Sequence, residues 1–164
     1  MPPKEQIAMR FEGEEIIVYS VSGASGQGHE TVFPEIIAEV LGIPAERITL
    51  RASDPAGPPL MGLGSFGSRT SFMVGGAVLG GAREVIKLGT ALAADDLEAA
   101  PQDIEFVEGV FSVKGTDRRI PLLDLARKHA GRKPHPLDAA TAHGKRASIN
   151  CRCRVGTHDR DVGS

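Results

Sequence analysis

The stretch "EEIIVYSVSGASGQGHETVFPEIIAEVLGIPAERITLRAS" at residues 14–53 decides the fold. It begins with β-branched and aromatic residues that put Ile17, Tyr19 and Val21 on one face, which predicts a strand. The segment "RITLRAS" at 47–53 predicts a second strand, and the residues before it have the periodicity of an amphipathic helix. The stretch therefore predicts a strand, a glycine-rich loop, a helix and a second strand.

The ends of this first helix carry recognisable signals. Thr31 is a candidate N-cap, which places Pro34 in the first turn, where its missing N–H costs little. Gly42 followed by Pro44 predicts the C-terminal end. The buried face is predicted from apolar residues at positions i, i+3, i+4, i+7 and i+8, namely Phe33, Ile36, Ile37, Val40 and Leu41.

A second helix is predicted after residues 54–70, which form the longest irregular stretch of the chain. It should begin near Ser68 or Ser71, and it contains glycines at positions 75, 76, 80 and 81. Each glycine inside a helix costs up to about 1 kcal/mol relative to alanine. We therefore expect these glycines to form a face that another backbone or a ligand approaches closely.

A β-hairpin around Glu108-Gly109 is predicted over residues 103–115, and a short helix over residues 120–131. Together these elements predict an α+β fold class. We assign residues 1–131 to one folded segment, and we expect residues 132–164 to be an irregular, basic C-terminal tail.

The charge is distributed unevenly along the chain. Residues 1–126 carry ten Lys and Arg against eighteen Asp and Glu, a net charge of 10 − 18 = −8. Residues 127–164 carry nine against three, a net charge of 9 − 3 = +6. A basic segment of this kind is a candidate nucleic-acid arm, but it lacks the interleaved aromatic residues that stack on bases. We therefore expect a solvated extension or a surface that a partner covers, and no nucleic acid.

Other classes of protein are disfavoured by composition. The sequence contains no run of eighteen apolar residues, so no membrane span is expected. The first residues lack the apolar core of a signal peptide, which favours the cytoplasm. Cys151 and Cys153 are too few for a disulfide framework, and no second ligand pair completes a zinc site with them. We expect two free thiols and no protein-bound metal.

The first segment that could carry chemistry is Gly26-Gln27-Gly28-His29-Glu30, at the start of the first helix. Free N–H groups at a helix N-terminus, together with the helix dipole, attract anions. Glycines allow a phosphate or a flat heterocycle to approach the backbone, and the Gln27 amide both donates and accepts hydrogen bonds. We expect His29 to act as a hydrogen-bonding group rather than as a metal ligand.

The second such segment is "GLGSFGSRT" at residues 62–70. Its glycines match the spacing of a dinucleotide-binding fingerprint, but that fingerprint requires a strand directly before it. The preceding "DPAGPPLM" contains three prolines and is incompatible with a central strand, so a Rossmann fold is excluded. What remains is a glycine loop with hydroxyl groups and Arg69, which either clamps a phosphate or is simply exposed.

Taken together, these segments resemble the molybdenum-cofactor-binding large subunit of the xanthine dehydrogenase, aldehyde oxidase and carbon monoxide dehydrogenase family. The resemblance rests on "GQGHET" at 26–31, "AEVLGIPAERI" at 38–48, "GLGSFGSRTS" at 62–71 and "GGAV" at 75–78. Their order, spacing and flanking elements fit the second molybdenum-binding region of that subunit. The resemblance extends to about residue 127.

The resemblance implies that the two loops hold molybdenum-bearing molybdopterin, often as its cytosine dinucleotide. Gln27, Gly28 and His29, with Gly26 beside them, would contact the pterin or the metal-oxo group. The pterin and phosphate side would be lined by Gly64, Phe66, Gly67, Ser68 and Arg69. The family hydroxylates aldehydes, purines and other heterocycles or oxidises carbon monoxide, takes its oxygen from water, and passes electrons to iron–sulfur and flavin (FAD) partners. Most members supply no protein ligand to the metal.

The chain resembles only an internal segment of that subunit, which is several times longer. The glutamate that serves as the family's general base lies downstream of any matching residue, so we expect no catalytic residue here and no turnover by this chain alone. The expected origin is a truncated, frame-shifted or split subunit whose partners include the remainder of the large subunit. Two alternatives stay open: a nucleotide-binding module without molybdenum chemistry, and a non-catalytic interaction protein or degenerate fragment that self-associates.

Overall fold

The computed structural model describes residues 4–23, 26–63 and 69–144. Within these ranges the chain forms three α-helices, one mixed four-stranded sheet and one antiparallel three-stranded sheet. The helices are α1 (His29–Leu41), α2 (Arg69–Asp96) and α3 (Leu122–Lys128). The strands are β1 (Lys4–Glu12), β2 (Glu15–Ser20), β3 (Ile48–Ala52), β4 (Ile104–Val107), β5 (Val110–Val113), β6 (Arg119–Pro121) and β7 (Ala139–Gly144). The α+β fold class and the strand, loop, helix and strand unit are confirmed.

The larger sheet has the strand order β3-β2-β1-β7. β2 pairs parallel with β3, whereas β1 pairs antiparallel with both β2 and β7. The chain direction therefore brings the C-terminal ends of β2, β3 and β7 and the N-terminal end of β1 to one edge of the sheet. We call this edge, marked by Glu5, Ser20, Ala52 and His143, the loop edge.

Helices α1 and α2 pack side by side on one face of this sheet and both start at the loop edge. α1 follows β2, and the parallel pairing of β2 with β3 requires α1 to run back across the sheet. In α2, Gly76 lies against the His143 ring near the loop edge, while Gly81 lies against Ile7 and Met9 farther in. Midway between them, the Thr141 hydroxyl donates a 2.8 Å hydrogen bond to the Ala77 carbonyl of α2.

The glycine face predicted for α2 is thus occupied by strand side chains. A Cβ atom at Gly76 would come within 2.7 Å of the imidazole of His143, and one at Gly81 within 2.8 Å of Ile7 and Met9. Small residues here let the helix approach β1 and β7, and the close packing compensates their unfavourable helix propensity. We expected either another part of the protein or a ligand to approach this face, and the structure places strands β1 and β7 of the same chain there.

The start of α1 differs from the sequence-based expectation. The N-cap is Gly28, with φ 72°, and its carbonyl accepts hydrogen bonds from the N–H groups of Thr31 and Val32 at 3.1 and 3.0 Å. The prediction of Thr31 as N-cap is therefore wrong, and Pro34 lies inside the helix rather than in its first turn. A glycine reaches the left-handed conformation easily, so the helix starts three residues earlier without a side-chain cap. The predicted C-terminal end at Gly42, with φ 61°, is confirmed.

Two strands of the larger sheet were not expected from the sequence. β1 was not anticipated, although its side chains alternate between the two faces of the sheet. Residues 132–164 were expected to be irregular, and this is wrong for residues 139–144, which form β7 and pair with β1 over six residue pairs. The sequence "AATAHG" has little strand propensity, so its conformation depends on backbone hydrogen bonds to β1. Residues 145–164, including Cys151 and Cys153, lie outside the described part of the chain.

The smaller sheet, with the order β4-β5-β6, contains the predicted hairpin. Glu108 and Gly109 both have positive φ angles, 46° and 80°, as a two-residue turn of this type requires. The turn packs directly against Gly42, so a Cβ atom at Gly42 would overlap the backbone of Glu108. The hairpin thereby supports the C-terminal end of α1.

The far end of α2 is joined to α3 through Asp96. Its carboxylate contacts the Nε2 atom of His129 at 3.0 Å and the Nζ atom of Lys128 at 3.1 Å. Burial would raise the pKa of Asp96, but the hydrogen bonds and charges of His129 and Lys128 outweigh it, and the pKa is lowered. A lowered carboxyl pKa stabilises the fold above the unfolded-state pKa of about 3.9, and this stabilisation is lost as the pH falls through the folded-state value.

Two glycines of α2 give a matched test of this packing. Gly89→Ala should destabilise the protein by about 1–3 kcal/mol, because the added methyl group overlaps the fully buried ring of Phe111. Gly80→Ala should stabilise it by about 0.5–1 kcal/mol, since its Cβ atom meets nothing closer than Thr141 at 3.9 Å. Urea unfolding of both variants measures the difference. Equal effects would contradict the described position of α2.

Candidate functional site

The described ends of both segments that the sequence singles out lie at the loop edge. The first connects β2 to α1 and the second connects β3 to α2, so both leave from the C-terminal ends of neighbouring parallel strands. Both helices then begin at the same edge, where their first N–H groups and the positive ends of their dipoles point outward. Two helix N-termini at one edge favour a ligand that carries negative charge.

Beneath these helix starts lies a layer of buried polar side chains. Among the described residues six polar or charged side chains are buried. All except His135 lie at the loop edge, either at or just beyond the strand ends or in the first residues of α1 and α2. The members of this layer are Glu5, Ser20, Ser22, His29 and Thr70. Elsewhere the space between sheet and helices is filled by apolar residues. Buried polar groups cost free energy unless they are hydrogen-bonded, so this layer requires partners.

His29, the first residue of α1, is 6% exposed, and its ring stacks on Phe33 with centroids 5.0 Å apart. Its Nδ1 atom is buried and has no hydrogen-bond partner among the described residues. The Ser22 hydroxyl and the Nε2 atom of His143 are likewise buried and have no hydrogen-bond partner among the described residues. Three such groups at one edge form a set of donors and acceptors that a polar ligand would complete.

The first loop has the backbone conformation expected of a close-approach site. Gly26 and Gly28 have φ angles of 90° and 72°, and a Cβ atom at either position would meet nothing within 4 Å among the described residues. Both glycines and Gln27 are exposed, whereas the adjacent His29 is buried. The structure thus brings Gly26, Gln27, Gly28 and His29 together at the start of α1.

The second loop is described only up to Leu63. The predicted site residues Gly64, Phe66, Gly67 and Ser68 lie outside the described residues, and Arg69 is described only as the first backbone position of α2. Residues 54–63 contain neither helix nor strand, so the fingerprint-like glycines are not preceded by a strand, in agreement with the exclusion of a Rossmann fold.

The described end of this loop is attached to β1. The Leu63 N–H donates to a carboxylate oxygen of Glu5 at 2.9 Å. Met61 exchanges two hydrogen bonds with Gln6, one from the Met61 N–H to the Gln6 side chain at 2.7 Å and one from the Gln6 N–H to the Met61 carbonyl at 2.9 Å. These bonds bring the second loop back to the loop edge.

The sequence reasoning missed three members of the polar layer, Glu5, Ser20 and Ser22, and their neighbour His143. Glu5 and His143 are paired residues of β1 and β7 and share the helix-facing side of the sheet. The signal that could have found Glu5 is the alternation in "KEQIAMRFE", which puts it in line with Ile7 and Met9. No local pattern marks His143, because β7 lacks strand propensity.

Within residues 4–23, 26–63 and 69–144, no group of three or more His, Cys, Asp or Glu side chains could hold a metal ion. None of the three described helices is both long and apolar enough to cross a bilayer.

Comparison with known proteins identifies the family. The family model of the molybdopterin cofactor-binding domain matches residues 4–158. The chain belongs to this family. It is 41% identical over 111 residues to the 6-hydroxypseudooxynicotine dehydrogenase complex subunit gamma of Paenarthrobacter nicotinovorans, and 35% identical over 114 residues to the carbon monoxide dehydrogenase large chain of Hydrogenophaga pseudoflava. These matches cover 67% and 69% of the chain but 14% of each relative, so the molybdopterin cofactor-binding chain spans about one seventh of their length.

Solved structures of related enzymes contain the same fold. Reconstituted CO dehydrogenase from Oligotropha carboxidovorans superposes with a TM-score of 0.78 and 29% identity, over 87% of this chain and 18% of that one. Quinoline 2-oxidoreductase from Pseudomonas putida 86 superposes with a TM-score of 0.73 and 25% identity, over 88% of this chain and 19% of that one. The described fold therefore corresponds to a segment of a molybdenum-binding region.

His29 and His135 allow a matched test of the polar layer. Both are buried and stacked on a phenylalanine, but the ring nitrogens of His135 contact the Ala126 carbonyl at 3.0 Å and the Leu137 N–H at 3.2 Å. His135→Phe should therefore lower the free energy of unfolding by about 1–3 kcal/mol, whereas His29→Phe should leave it unchanged or raise it. Urea unfolding without cofactor measures both. A similar loss for His29→Phe would show that its Nδ1 atom has a partner within the protein.

Proposed function

We propose that this chain is the cofactor-contacting segment of a molybdenum hydroxylase large subunit, and that its two glycine loops hold molybdopterin at the loop edge. The observation that supports the proposal most strongly is the set of buried, unpartnered polar atoms of Ser22, His29 and His143 at the start of two helices. A polar, anionic heterocycle has the chemistry that would complete such a set.

The residues of the first loop fit this cofactor. Gly26 and Gly28 expose their backbone, so a flat pterin meets no Cβ atom there. Gln27 would hydrogen-bond to the pterin edge or the metal-oxo group, and the ring nitrogen of His29 would bond to the same ligand. When bound, the cofactor supplies the redox chemistry that transfers oxygen from water to the substrate and electrons to an acceptor. The protein groups bind and orient it.

The second loop would contribute the pterin and phosphate side through Gly64, Phe66, Gly67, Ser68 and Arg69. A hydrogen bond to a charged group contributes about 1.5–3 kcal/mol, whereas a helix dipole contributes about 0.3–1 kcal/mol. Tight binding therefore depends on several charged hydrogen bonds from both loops acting on one ligand. The cytosine dinucleotide form of the cofactor, with its additional phosphate, suits such a site.

Turnover would require more than this chain, because the family's general base is not among its matching residues. We propose that the remainder of the large subunit and iron–sulfur and FAD subunits complete the enzyme. The names of the relatives, a subunit gamma of a complex and a large chain, support the existence of further subunits without naming their cofactors. The proposed substrates are those of the family: aldehydes, nitrogen heterocycles or carbon monoxide. The 1–131 cofactor-binding boundary and a cytoplasmic location stay predictions.

Reconstitution with molybdopterin cytosine dinucleotide tests the proposed site. Gln27→Ala and Arg69→Ala should each weaken cofactor retention at least about tenfold, because each removes a hydrogen-bonding group with a free-energy contribution above 1.4 kcal/mol. Arg51→Ala, on the opposite face of the sheet, is the control and should bind as the unaltered chain does. Molybdenum content and cofactor fluorescence after gel filtration measure retention.

Unchanged retention in both loop variants would contradict the proposed site. Thermal stabilisation by NAD or ATP without any molybdopterin binding would favour a nucleotide-binding module. Self-association without binding of any small molecule would favour an interaction protein.

A further inference from the structure

The second glycine loop is held by the first residues of β1. Leu63 donates its N–H to the Glu5 carboxylate at 2.9 Å, and the neighbouring Met61 is bonded on both sides to Gln6. Because residues 64–68 separate Leu63 from the start of α2, the Glu5 contact is the last described attachment before the proposed cofactor contacts. The position of Leu63 therefore sets where that segment begins.

Glu5 is itself held in one position by its surroundings. Its side chain is 1% exposed and points to the helix-facing side of the sheet, in line with the buried Ile7 and Met9. Gly62 packs against the carboxylate so closely that an added Cβ atom would overlap a Glu5 oxygen and lie 2.9 Å from the Cβ atom of Val21. Packing against Glu5 and Val21 therefore explains the glycine at position 62 without any bound nucleotide.

We propose that Glu5 is a positioning residue that holds Gly62 and Leu63, the described end of the second glycine loop, at the loop edge, so that this loop reaches the ligand of the first loop. The inference rests on the proposed function for the identity of that ligand. The attachment itself rests only on the contacts of Glu5 with Leu63 and Gly62. Glu5 acts through the backbone of Leu63 and does not itself touch the cofactor.

Amide hydrogen exchange on the full chain without cofactor tests the attachment. Glu5→Met keeps the length of the side chain but removes the acceptor, so exchange at the Leu63 amide should accelerate about tenfold or more. Glu5→Gln keeps an acceptor oxygen and should remain within about threefold of the unaltered chain. Glu12→Met, at the exposed far end of β1, is the matched control and should leave Leu63 unchanged.

Exchange at the Val113 and Phe11 amides, far from the loop, reports whether each variant is folded. A Leu63 amide that exchanges equally in the unaltered chain and in a folded Glu5→Met variant would overturn the proposal. If Glu5→Met does not fold, Gly62→Ala provides the second variant: it displaces the loop from the carboxylate and should accelerate Leu63 exchange in the same way.

A second experiment, which measures cofactor retention, separates this inference from the proposed function. Glu5→Met should weaken retention of molybdopterin cytosine dinucleotide about tenfold, and Glu5→Gln should restore it to within about threefold of the unaltered chain. Unweakened retention in a Glu5→Met variant whose loop is released would overturn the positioning role. Failure of the unaltered chain to retain the cofactor would contradict the proposed function, while the exchange comparison would still decide the attachment.

Discussion

The parallel pairing of β2 with β3 is the constraint on which the rest of the structure depends. Ile16 pairs with Ile48 and Ser20 with Ala52, so the two strands end at the same edge of the sheet. Any segment that follows either strand must therefore start at that edge. The backbone hydrogen bonds of one strand pair thus bring together two loops that are about forty residues apart in the sequence.

A second consequence follows from how the helices pack on this sheet. Among the described residues, the apolar core fills the space between helices and strands, and the buried polar side chains other than His135 lie at the loop edge. Unpartnered polar atoms in such a layer lower the stability of the chain by itself, because their lost contacts with water are not replaced. Such atoms at the loop edge are unmet hydrogen bonds that a ligand bound there would complete, and this would link the stability of the fold to the proposed function.

The elements with strong local signals could be predicted from the sequence. The strand, loop, helix and strand unit, the glycine-rich helix and the hairpin at Glu108-Gly109 each have a periodicity or a turn signal. The resemblance to a molybdenum-binding subunit rested on motifs within these elements, and the family match confirms it. The four first-loop residues at the start of α1, Gly26 to His29, were predicted in this way and stay predicted site residues.

The elements that depend on distant pairing could not be predicted in this way. β7 is held by β1 rather than by its own composition, and the polar groups of Glu5 and His143 meet only because their strands are neighbours. The early start of α1 was missed because a left-handed glycine replaces the usual side-chain cap. Sequence reasoning predicted the chemistry on the loops, and the structure adds the layer of buried polar side chains beneath the helix starts.

The central claim is that two loops at one edge bind one ligand, and hydrogen exchange with and without molybdopterin cytosine dinucleotide tests it most directly. The account predicts that the amides of residues 28–31 and those of residues 70–73 become protected together, at the same cofactor concentration. Protection of only one helix start, or protection of the two at clearly different concentrations, would contradict it.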